Sequence, residues 1–363
     1  MKIGIDGRYA EGRLTGIGKY IRQLVFGLSS RGIEVVLFYS KKPVDEITGN
    51  NIYSVILYSK NRYLFEQILL PKALKREKIK LYHAAGNIGV PLFCPCPSVL
   101  TVHDIIPLLY PNYFSFSKTQ LISKNSYLLR SKLSILRANK VITDSQFTKD
   151  SLVKIFKIST SRISVIPLGI DFQKGGGELP KGITKNKYIL NHGGIDIRKN
   201  LFRLLEAFAK ILPKYPELKL VITGGNETLR PKLEELSQKL GVSKAVVFTG
   251  YVDDKILWNL IKNANSLCLP SEIEGFGLPV LEGLAAGVPV VASNISSIPE
   301  VAGEAAILVN PNDINEIAEG LEVILTDSAL RESLIKKGLS QAKKFSWTKT
   351  VEETIKIYKE VLK

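Results

Sequence analysis

The chain contains 363 residues, enough for two domains of ordinary size, and its composition (45% hydrophobic, 23% charged) is that of a globular protein. Its three cysteines are an odd number and do not form a disulfide framework, so we expect a reducing compartment and a cytoplasmic location. The three histidines, His83, His103 and His192, lie far apart in the sequence and predict no metal cluster.

The positive charge is concentrated in the first half of the chain. Residues 1–170 hold 25 Lys and Arg against 10 Asp and Glu, whereas residues 171–363 hold 25 against 24. No acidic residue lies between Asp104 and Asp144. The first half is therefore predicted to form a basic body and the second half a neutral one.

Short apolar runs rich in β-branched residues alternate with amphipathic stretches along the chain, a pattern that predicts parallel sheets covered by helices. The predicted strands are 2–6, 33–39, 98–102, 140–143, 163–166, 187–191, 218–223, 245–248, 266–269 and 288–292. The predicted helices include 17–30, 63–78, 146–155, 200–213, 228–239, 253–263, 314–325 and 347–361.

The alternation continues on both sides of residues 170–185, a segment with three consecutive glycines and a proline that is typical of a linker. Two doubly wound α/β domains follow, with predicted boundaries at 1–171 and 172–346. Ligands of such sheets bind at the carboxyl ends of the strands, so we expect the site in a cleft between the two sheets.

The stretch SEIEGFGLPVLEGLAAGVPVVAS, residues 271–293, carries two glutamates eight positions apart in an apolar setting. A helix is predicted to begin near Leu278, with Pro279 suited to its first turn. The amides of Phe276, Gly277 and Leu278 then have no intrahelical partner and favour an anion such as phosphate.

Glu274 and Glu282 flank this expected anion site, where a carboxylate would repel phosphate but accept hydrogen bonds from a vicinal diol. A ligand with a diphosphate in its middle and a polyol at each end fits the arrangement, and nucleotide sugars have this architecture. The spacing alone also permits two ordinary surface glutamates.

The segment EGFGLPVLEGLAAGVPVVAS closely resembles the E-x7-E signature of retaining, GT-B-fold glycosyltransferases of family 4. Further segments resemble motifs of that family in the same order, and the match covers nearly the whole chain. They are TGIGKY (15–20), VHDIIPLLYPNYF (102–114), VIPLGID (165–171), GGIDIRKNLFRLLEAF (193–208) and FSWTKTVEETIKIYKEVL (345–362). The second of these matches the version found in mannosyltransferase-like members.

The resemblance implies two Rossmann-like domains that face each other across a cleft, with the acceptor on the side of domain 1–171 and the donor in domain 172–346. The C-terminal helix, 347–363, is implied to pack back on the first domain. The implied activity is transfer of a hexose, here mannose from GDP-mannose, to a glycan or lipid-linked acceptor with retention of anomeric configuration.

The family's roles transfer to matching positions of this chain. Arg198 and Lys199 are implied to bind the donor diphosphate, which explains two cations at a helix start where the helix dipole disfavours them. Glu274 is implied to contact hydroxyls of the transferred sugar and Glu282 to hold the ribose. Backbone near Tyr251–Val252 is implied to border the nucleobase.

Histidine and glycine positions complete the implied site. His103 is implied to reach the donor sugar at the mouth of the first domain, although a histidine satisfied at a strand end is the alternative. Gly16, Gly18 and Gly194 allow the backbone to approach the donor closely. His83 and His192 have no motif support and are expected to be structural.

Other classes of function fit the sequence less well. Position 21 is Ile rather than the third glycine of G-x-G-x-x-G, which argues against a dehydrogenase. A phosphorylase would need a pyridoxal-phosphate lysine and a longer chain. A non-catalytic sugar-nucleotide-binding protein on the same fold remains the alternative, and the presence of His103, Arg198, Lys199, Glu274 and Glu282 argues against it.

The chain contains no D-x-D triplet, so we expect diphosphate binding without a metal and no cofactor. The mechanism inferred from the family is a front-face transfer in which the departing diphosphate oxygen takes the acceptor's proton.

Three interpretations remain for the basic first half: a solvated surface, nucleic-acid binding and docking on an anionic membrane. No recognition module for nucleic acid is present, and we expect none to bind. The acid-free stretch 118–140 mixes Leu, Ile and Tyr with cations and resembles an interfacial helix. We therefore predict peripheral docking on the inner face of the plasma membrane.

Overall fold

A computed structural model describes residues 1–12, 16–111, 113, 120–171, 176–226 and 228–363. These residues form two units, Met1–Gly169 with Phe345–Lys363, and Ile170–Lys344. The sequence analysis set the corresponding boundaries at 171/172 and 346/347. Lys118 and the first residue of the TGIGKY segment lie outside the described residues.

The first unit is built on a parallel sheet. Among the described residues it has seven strands in the order β3-β2-β1-β4-β5-β6-β7. The strands are β1 Lys2–Asp6, β2 Glu34–Tyr39, β3 Ile52–Ile56, β4 Leu81–Ala84, β5 Ser98–Val102, β6 Lys140–Thr143 and β7 Ile163–Val165. The helices are α1 Gly16–Ser29, α2 Arg62–Leu64, α3 Leu70–Arg76, α4 Ile106–Leu109, α5 Gln120–Arg137 and α6 Gln146–Phe156, with a π-helical segment Phe65–Leu69 between α2 and α3.

The second unit repeats this design: its described part, 170–171, 176–226 and 228–344, forms a six-stranded parallel sheet in the order β10-β9-β8-β11-β12-β13. Its strands are β8 Tyr188–Asn191, β9 Lys219–Thr223, β10 Val246–Gly250, β11 Ser266–Leu269, β12 Val290–Ser293 and β13 Ile307–Val309. Its helices are α7 Leu201–Ile211, α8 Arg230–Lys239, α9 Asp254–Asn263, α10 Leu278–Ala285, α11 Ile298–Ala302, α12 Ile314–Thr326 and α13 Ser328–Ala342.

Burial explains why the central strands were predictable. β5, β8 and β11 are buried at every residue, so helices cover both faces of the sheet and the strands are short continuous apolar runs. The helices instead follow a 3.6-residue period. In α7 the buried side chains are those of Leu201, Leu204, Leu205, Ala207, Phe208 and Ile211.

Two strands that the sequence analysis did not identify, β3 and β13, are edge strands of their sheets. β3 has one paired side, and its Tyr53 side chain is 52% exposed. β13 contains three residues. An edge strand needs a weaker apolar pattern than a central one, so its sequence signal is weaker too. β4, also not predicted individually, lies in the uncharged run 81–103 that was expected to contain buried strands.

The last helix, α14 Trp347–Val361, belongs to the first unit. Its start is fixed by Thr350, whose hydroxyl donates to the carbonyl of Pro167 at 2.7 Å. A Cβ at Gly169 would lie 2.1 Å from the backbone nitrogen of Trp347, so only glycine allows the chain and the helix to approach this closely.

A buried chain of hydrogen bonds joins α14 to the sheet. The Tyr358 hydroxyl lies 2.6 Å from Nδ1 of His83, and Nε2 of His83 lies 2.7 Å from Oγ1 of Thr101. The Tyr20 hydroxyl lies 3.0 Å from the same Oγ1. Burial lowers the pKa of His83 to about 3, with a smaller contribution from His103, so the ring is neutral and the network carries no charge.

No helix in the described parts of the chain combines the length and the apolarity needed to cross a bilayer.

Replacement of Tyr358 by Phe should destabilise the first unit by about 1–3 kcal/mol, because it leaves a buried imidazole nitrogen without its partner. The measurement is urea unfolding at pH 7 in a Trp258→Phe background, where the remaining tryptophan, Trp347, reports on the first unit. Lys359→Ala, at an exposed position on the same helix, is the control. Equal stability of the two variants would contradict the structural role of this hydrogen bond.

Candidate functional site

The second unit gathers its predicted site residues at one edge of its sheet. The strand order reverses between β8 and β11, and ligands of doubly wound sheets bind beyond the carboxyl ends of the strands at such a point. Gly193 and Gly194 follow β8, and Glu274 follows β11. The two loops nearest to this position therefore carry the basic pair and the acidic residue predicted from the sequence.

The turn after β8 requires glycine at both positions. Gly193 has φ +107° and Gly194 φ +94°, in the region that side chains disfavour. A Cβ at Gly193 would lie 3.2 Å from both Nζ of Lys199 and Cγ of Pro279. The turn, the Lys199 ammonium and the first turn of α10 are thus immediate neighbours.

A short 3₁₀ turn, Ile197–Lys199, directs the basic pair. Asp196 caps it by accepting from the amide of Arg198 at 3.1 Å, and Asn200 ends it with φ +59°. Lys199 is left only 3% exposed, and Arg198 is half-buried. Lys199 therefore points into the unit rather than into solvent.

Glu274 joins the two cations. Its Oε1 accepts from Nζ of Lys199 at 2.6 Å, and its Oε2 accepts from Nη1 of Arg198 at 2.8 Å. Glu274 is 8% exposed, so the pair with Lys199 is largely removed from water. The structure thus brings Glu274 onto the adjacent pair Arg198 and Lys199, which lie 76 and 75 positions before it in the sequence.

The charge state of this cluster follows from its contacts. Burial by itself would raise the pKa of Glu274, but Lys199 and Arg198 outweigh it and lower the pKa to about 2. Glu274 is therefore ionised at any physiological pH. An ionised carboxylate has about four lone-pair positions, so Glu274 keeps the capacity to accept from a ligand hydroxyl.

Hydrogen bonds to backbone carbonyls hold the two loops in register. The amide of Glu272 donates to the carbonyl of Arg198 at 2.7 Å, and Nδ2 of Asn200 donates to the carbonyl of Pro270 at 3.0 Å. From the other side, the Ser297 hydroxyl donates to the carbonyl of Glu274 at 2.9 Å. The cluster is therefore preorganised by its surroundings, as an electrostatic site requires.

Helix α10 begins where the sequence analysis placed it, at Leu278, after Gly277 with φ +105°. No side chain caps this helix start and no acidic residue lies in its first turn. Phe276, immediately before it, is 6% exposed. The positive end of the helix dipole thus lies beside Pro279 and the Lys199 ammonium, which favours an anion at this position.

Glu282 lies one turn inside α10 and is half-buried. Its Oε2 is 3.5 Å from Nδ1 of His192, the residue that directly follows β8. The sequence analysis treated His192 as structural and did not connect it with the site. Tyr251, by contrast, is 61% exposed after β10, and Val252 beside it is half-buried.

His103 occupies the equivalent edge of the sheet in the first unit, after β5. Its Nδ1 lies 2.7 Å from Oδ2 of Asp144 and its Nε2 lies 3.1 Å from the carbonyl of Ala85. Its backbone amide donates to Oδ1 of Asn87 at 2.8 Å. Both ring nitrogens have protein partners, so a ligand that binds Nε2 has to replace Ala85.

Asp144 controls the charge of this histidine. Burial alone would lower the pKa of His103, but the carboxylate of Asp144 outweighs burial and raises it. The ring of Tyr20 packs edge-on at 4.8 Å and fixes the imidazole plane. Asp144 was not among the residues predicted from the sequence. The available signal was an aspartate directly after a predicted strand that neighbours the strand of His103.

Gly16 and Gly18, expected from the sequence to allow close approach of the donor, lie in the first turns of α1. Gly18 is buried, and a Cβ at Gly16 would meet no atom within 4 Å. Neither has positive φ. Gly16 therefore leaves open space next to the helix start.

Within the described residues, no group of three or more His, Cys, Asp or Glu side chains is arranged to hold a metal ion.

Two family models match the chain, one for each unit. The model described as "Glycosyltransferase Family 4" matches residues 14–174, and the model described as "Glycosyl transferases group 1" matches residues 180–341.

Curated relatives match over most of the chain. The O-antigen chain mannosyltransferase B of Escherichia coli is 30% identical, with 95% of this chain and 96% of the relative covered. An uncharacterized glycosyltransferase of Methanocaldococcus jannaschii is 28% identical, with 99% and 98% covered.

Solved structures show the same fold. Sucrose-phosphate synthase from Thermosynechococcus elongatus superposes with a TM-score of 0.79 at 22% identity, covering 99% of both chains. HepE from Anabaena, in complex with UDP and glucose, has a TM-score of 0.77 at 17% identity, covering 99% of this chain and 100% of its own. At these identities the likeness is evidence for the GT-B fold alone.

Replacement of Glu274 by Ala should destabilise the second unit by about 3–5 kcal/mol, because it leaves the ammonium of Lys199 buried without its main partner. The double variant Lys199→Met/Glu274→Met should recover most of this loss. Urea unfolding in a Trp347→Phe background measures it, since Trp258 then reports on the second unit.

The matched control is Glu322→Ala. The pair of Glu322 with Lys214 has the same 2.6 Å separation but is exposed, so this variant should lose much less stability. An equal loss of unfolding free energy in Glu274→Ala and Glu322→Ala would refute the importance of burial for the pair between Glu274 and Lys199.

The low pKa of Glu274 also predicts a pH dependence of stability. Because the folded pKa of Glu274, about 2, lies below the unfolded value, its stabilisation is complete above pH 4.5 and is lost as the pH falls towards 2.

Proposed function

The chain belongs to glycosyltransferase family 4, and from this membership we propose that it transfers mannose from GDP-mannose to a hydroxyl of a glycan or lipid-linked acceptor. The observation that carries the proposal is the buried cluster of Arg198, Lys199 and Glu274 at the point where the strand order of the second unit reverses. Such a cluster provides cations for a diphosphate and a carboxylate for a sugar within one preorganised site.

We assign the donor's parts to the loops in order. Arg198 and Lys199, with the start of α10 at residues 276–278, bind the diphosphate. The Gly193–Gly194 turn allows its close approach. Glu274 accepts hydrogen bonds from hydroxyls of the transferred mannose, and Glu282 accepts from the ribose.

The base is assigned to the backbone at Tyr251–Val252, which follows β10 and is open to solvent at Tyr251. The histidine of the first unit, His103, is assigned to the donor sugar. Asp144 raises the pKa of His103 and so favours the protonated ring, which suits contact with a sugar hydroxyl or a phosphate oxygen.

The proposed reaction breaks the bond from the anomeric carbon to the diphosphate oxygen and forms one to the acceptor oxygen on the same face. The acceptor's proton passes to the departing diphosphate oxygen. Negative charge therefore grows on the diphosphate during transfer, and Arg198, Lys199 and the α10 dipole stabilise it. This retaining route requires no nucleophile from the protein.

We also propose that no metal is needed. In metal-dependent transferases a divalent cation neutralises the leaving diphosphate. Here the cations Arg198 and Lys199, which together exceed the charge of Glu274 by one, lie near a helix start without a side-chain cap, and we assign to them the neutralising role.

The proposal specifies mannose as the transferred sugar and guanine as the base of the donor. Relatives described as mannosyltransferases support mannose, among them the O-antigen chain mannosyltransferase B and WbdA, both of Escherichia coli. The structural neighbour HepE is described with UDP instead, so the base is the point that most needs measurement.

A screen with UDP, GDP, ADP and CDP should raise the melting temperature most with GDP, because ligand-linked stabilisation grows with RT ln(1 + [L]/Kd). The shift should persist in excess EDTA. Arg198→Gln should weaken GDP binding about tenfold or more, since it removes a charge-assisted hydrogen bond while Glu274 keeps Lys199.

The control is Arg331→Gln. The Arg331 side chain donates to the carbonyl of Asn265, which directly precedes β11 and therefore lies at the opposite edge of the same sheet. Loss of the GDP shift in EDTA would contradict metal-independent binding. Release of GDP from GDP-mannose on adding mannose-containing glycans would separate an enzyme from a protein that only binds the nucleotide sugar.

We further propose that the first unit docks on the anionic inner face of the plasma membrane through α5. Leu129 and Leu136 are 57% and 53% exposed and lie on one face, seven residues apart, with exposed Lys132 between them. Exposed leucines beside lysines are the pattern of an interfacial helix. Each Lys or Arg near such a surface adds about 1 kcal/mol.

Co-sedimentation with vesicles should rise with phosphatidylglycerol content and fall with salt. Leu129→Glu/Leu136→Glu should reduce recovery severalfold, whereas Val44→Glu/Leu362→Glu, which places the same charges at other exposed apolar positions of this unit, should not. Equal recovery with neutral vesicles would remove the membrane from the proposal.

A further inference from the structure

The first unit has a polar cavity at the carboxyl edge of its own sheet. Its volume is about 340 Å³, and its wall is built by residues that follow four neighbouring strands. Tyr9 follows β1, Ser40 follows β2, Arg62 follows β3 and Ile88 follows β4. The cavity therefore spans the position between β1 and β4 where the strand order reverses, which is the usual ligand position in such sheets.

Two guanidinium groups are fixed in this wall by buried carboxylates. Arg8 is held by Asp6 at 2.7 Å and by Glu66 at 2.9 Å, and Arg130 donates to both oxygens of Glu66 at 2.9 and 3.1 Å. Glu66 is 4% exposed on the π-helical segment, a distortion that is frequent at functional sites. The Arg8 guanidinium also stacks 4.5 Å over the ring of Phe65.

The remaining carboxylate of the wall, Glu11, is occupied by the backbone. It accepts from the amide of Ser40, from its hydroxyl at 3.0 Å and from the amide of Lys41 at 3.3 Å. Thus every carboxylate of the wall already has donors of its own from the protein.

Two further cations have no such partner. Lys60 and Arg62 line the cavity, are exposed, and form no ion pair within the described parts of the chain. Four cationic side chains line the cavity: Arg8, Lys60, Arg62 and Arg130. Glu11 and Glu66 in the wall and Asp6, the partner of Arg8, carry three negative charges, so the net charge is +1. The excess lies at the mouth of the cavity, on the loop after β3.

Tyr9 adds a ring to the same wall. It is 37% exposed, and a Cβ at Gly86 would lie 2.4 Å from it, so Gly86 allows its position. Burial and Asp6 raise the pKa of Tyr9, and the guanidinium groups of Arg62, Arg8 and Arg130 oppose the rise. Three guanidinium groups thus line the same cavity as this partly exposed phenol.

We propose that this cavity binds an oxyanion, a phosphate or carboxylate, carried by a sugar, with Arg62 and Lys60 contacting the anion and Tyr9 contacting the sugar ring. Arginine suits this role because its planar fork matches both anions. This identification rests on the proposed function: the bound molecule is then the acceptor, and the acceptor is an anionic saccharide. Binding itself is independent of transfer.

The test is isothermal titration calorimetry without any donor, using mannose 6-phosphate, glucuronate, inorganic phosphate and mannose as probes. Mannose 6-phosphate or glucuronate should bind at least tenfold more tightly than mannose, and inorganic phosphate more weakly than the sugar phosphate. Which anionic sugar binds more tightly distinguishes a phosphorylated from a uronic acceptor.

Lys60→Ala/Arg62→Ala should weaken binding of the anionic sugar at least tenfold, since both contacts with the anion are lost. Lys72→Ala/Lys75→Ala removes the same charge from exposed positions on α3 and should leave binding unchanged. Arg198→Ala should also leave it unchanged, because Arg198 belongs to the second unit.

Equal weakening in the two double variants would mean that net charge alone attracts the ligand, and the proposal would fail. Loss of binding in Arg198→Ala would place the anion in the second unit, and equal affinity for mannose would exclude anion recognition. These titrations contain no donor, whereas the proposed function is tested by GDP binding to the second unit of the unsubstituted protein, so failure here is distinguishable from failure of the proposed function.

Discussion

The buried ion pair between Lys199 and Glu274 is the interaction on which the second unit's site depends. Removing an ammonium and a carboxylate from water costs several kcal/mol for each ion, and their attraction offsets the cost only when the geometry is close and the remaining donors are satisfied. The structure meets this condition with a 2.6 Å contact, the second cation Arg198 and backbone bonds that lock the two loops. An ion pair with such a desolvation cost is typical of functional sites, and this pair lies at the edge of the sheet where ligands bind.

The first unit applies the same principle with different chemistry. A neutral hydrogen-bond chain from Tyr358 through His83 ties the last helix to the sheet, while the pKa of His103 is raised by Asp144. The pKa values of these two buried histidines thus shift in opposite directions, because His83 faces hydroxyls and His103 a carboxylate. The neutral network stabilises the fold, and His103 lies at the carboxyl edge of the sheet.

The excess positive charge of residues 1–170 divides into groups with different uses. Arg8 and Arg130 point inward onto Asp6 and Glu66 and shape a cavity wall. Other cations stay exposed, some around that cavity and some beside Leu129 and Leu136 on α5. Net charge alone suggests attraction to anions of any kind, whereas this distribution separates a concave site suited to a small anion from a helix face suited to an anionic surface.

The local sequence pattern was sufficient to predict the fold class, most central strands and helices, and the start of α10 at Leu278. Neighbouring residues show this pattern because a strand buried on both faces is a continuous apolar run and an amphipathic helix has a 3.6-residue period. The family resemblance singled out Arg198, Lys199 and Glu274 before any contact was known. Only the tertiary structure paired His103 with Asp144 and His192 with Glu282, identified β3 and β13 at the sheet edges, and built the cavity around Arg62. These features depend on which strands lie side by side, and the order of strands is decided by long-range packing that no short stretch of sequence encodes.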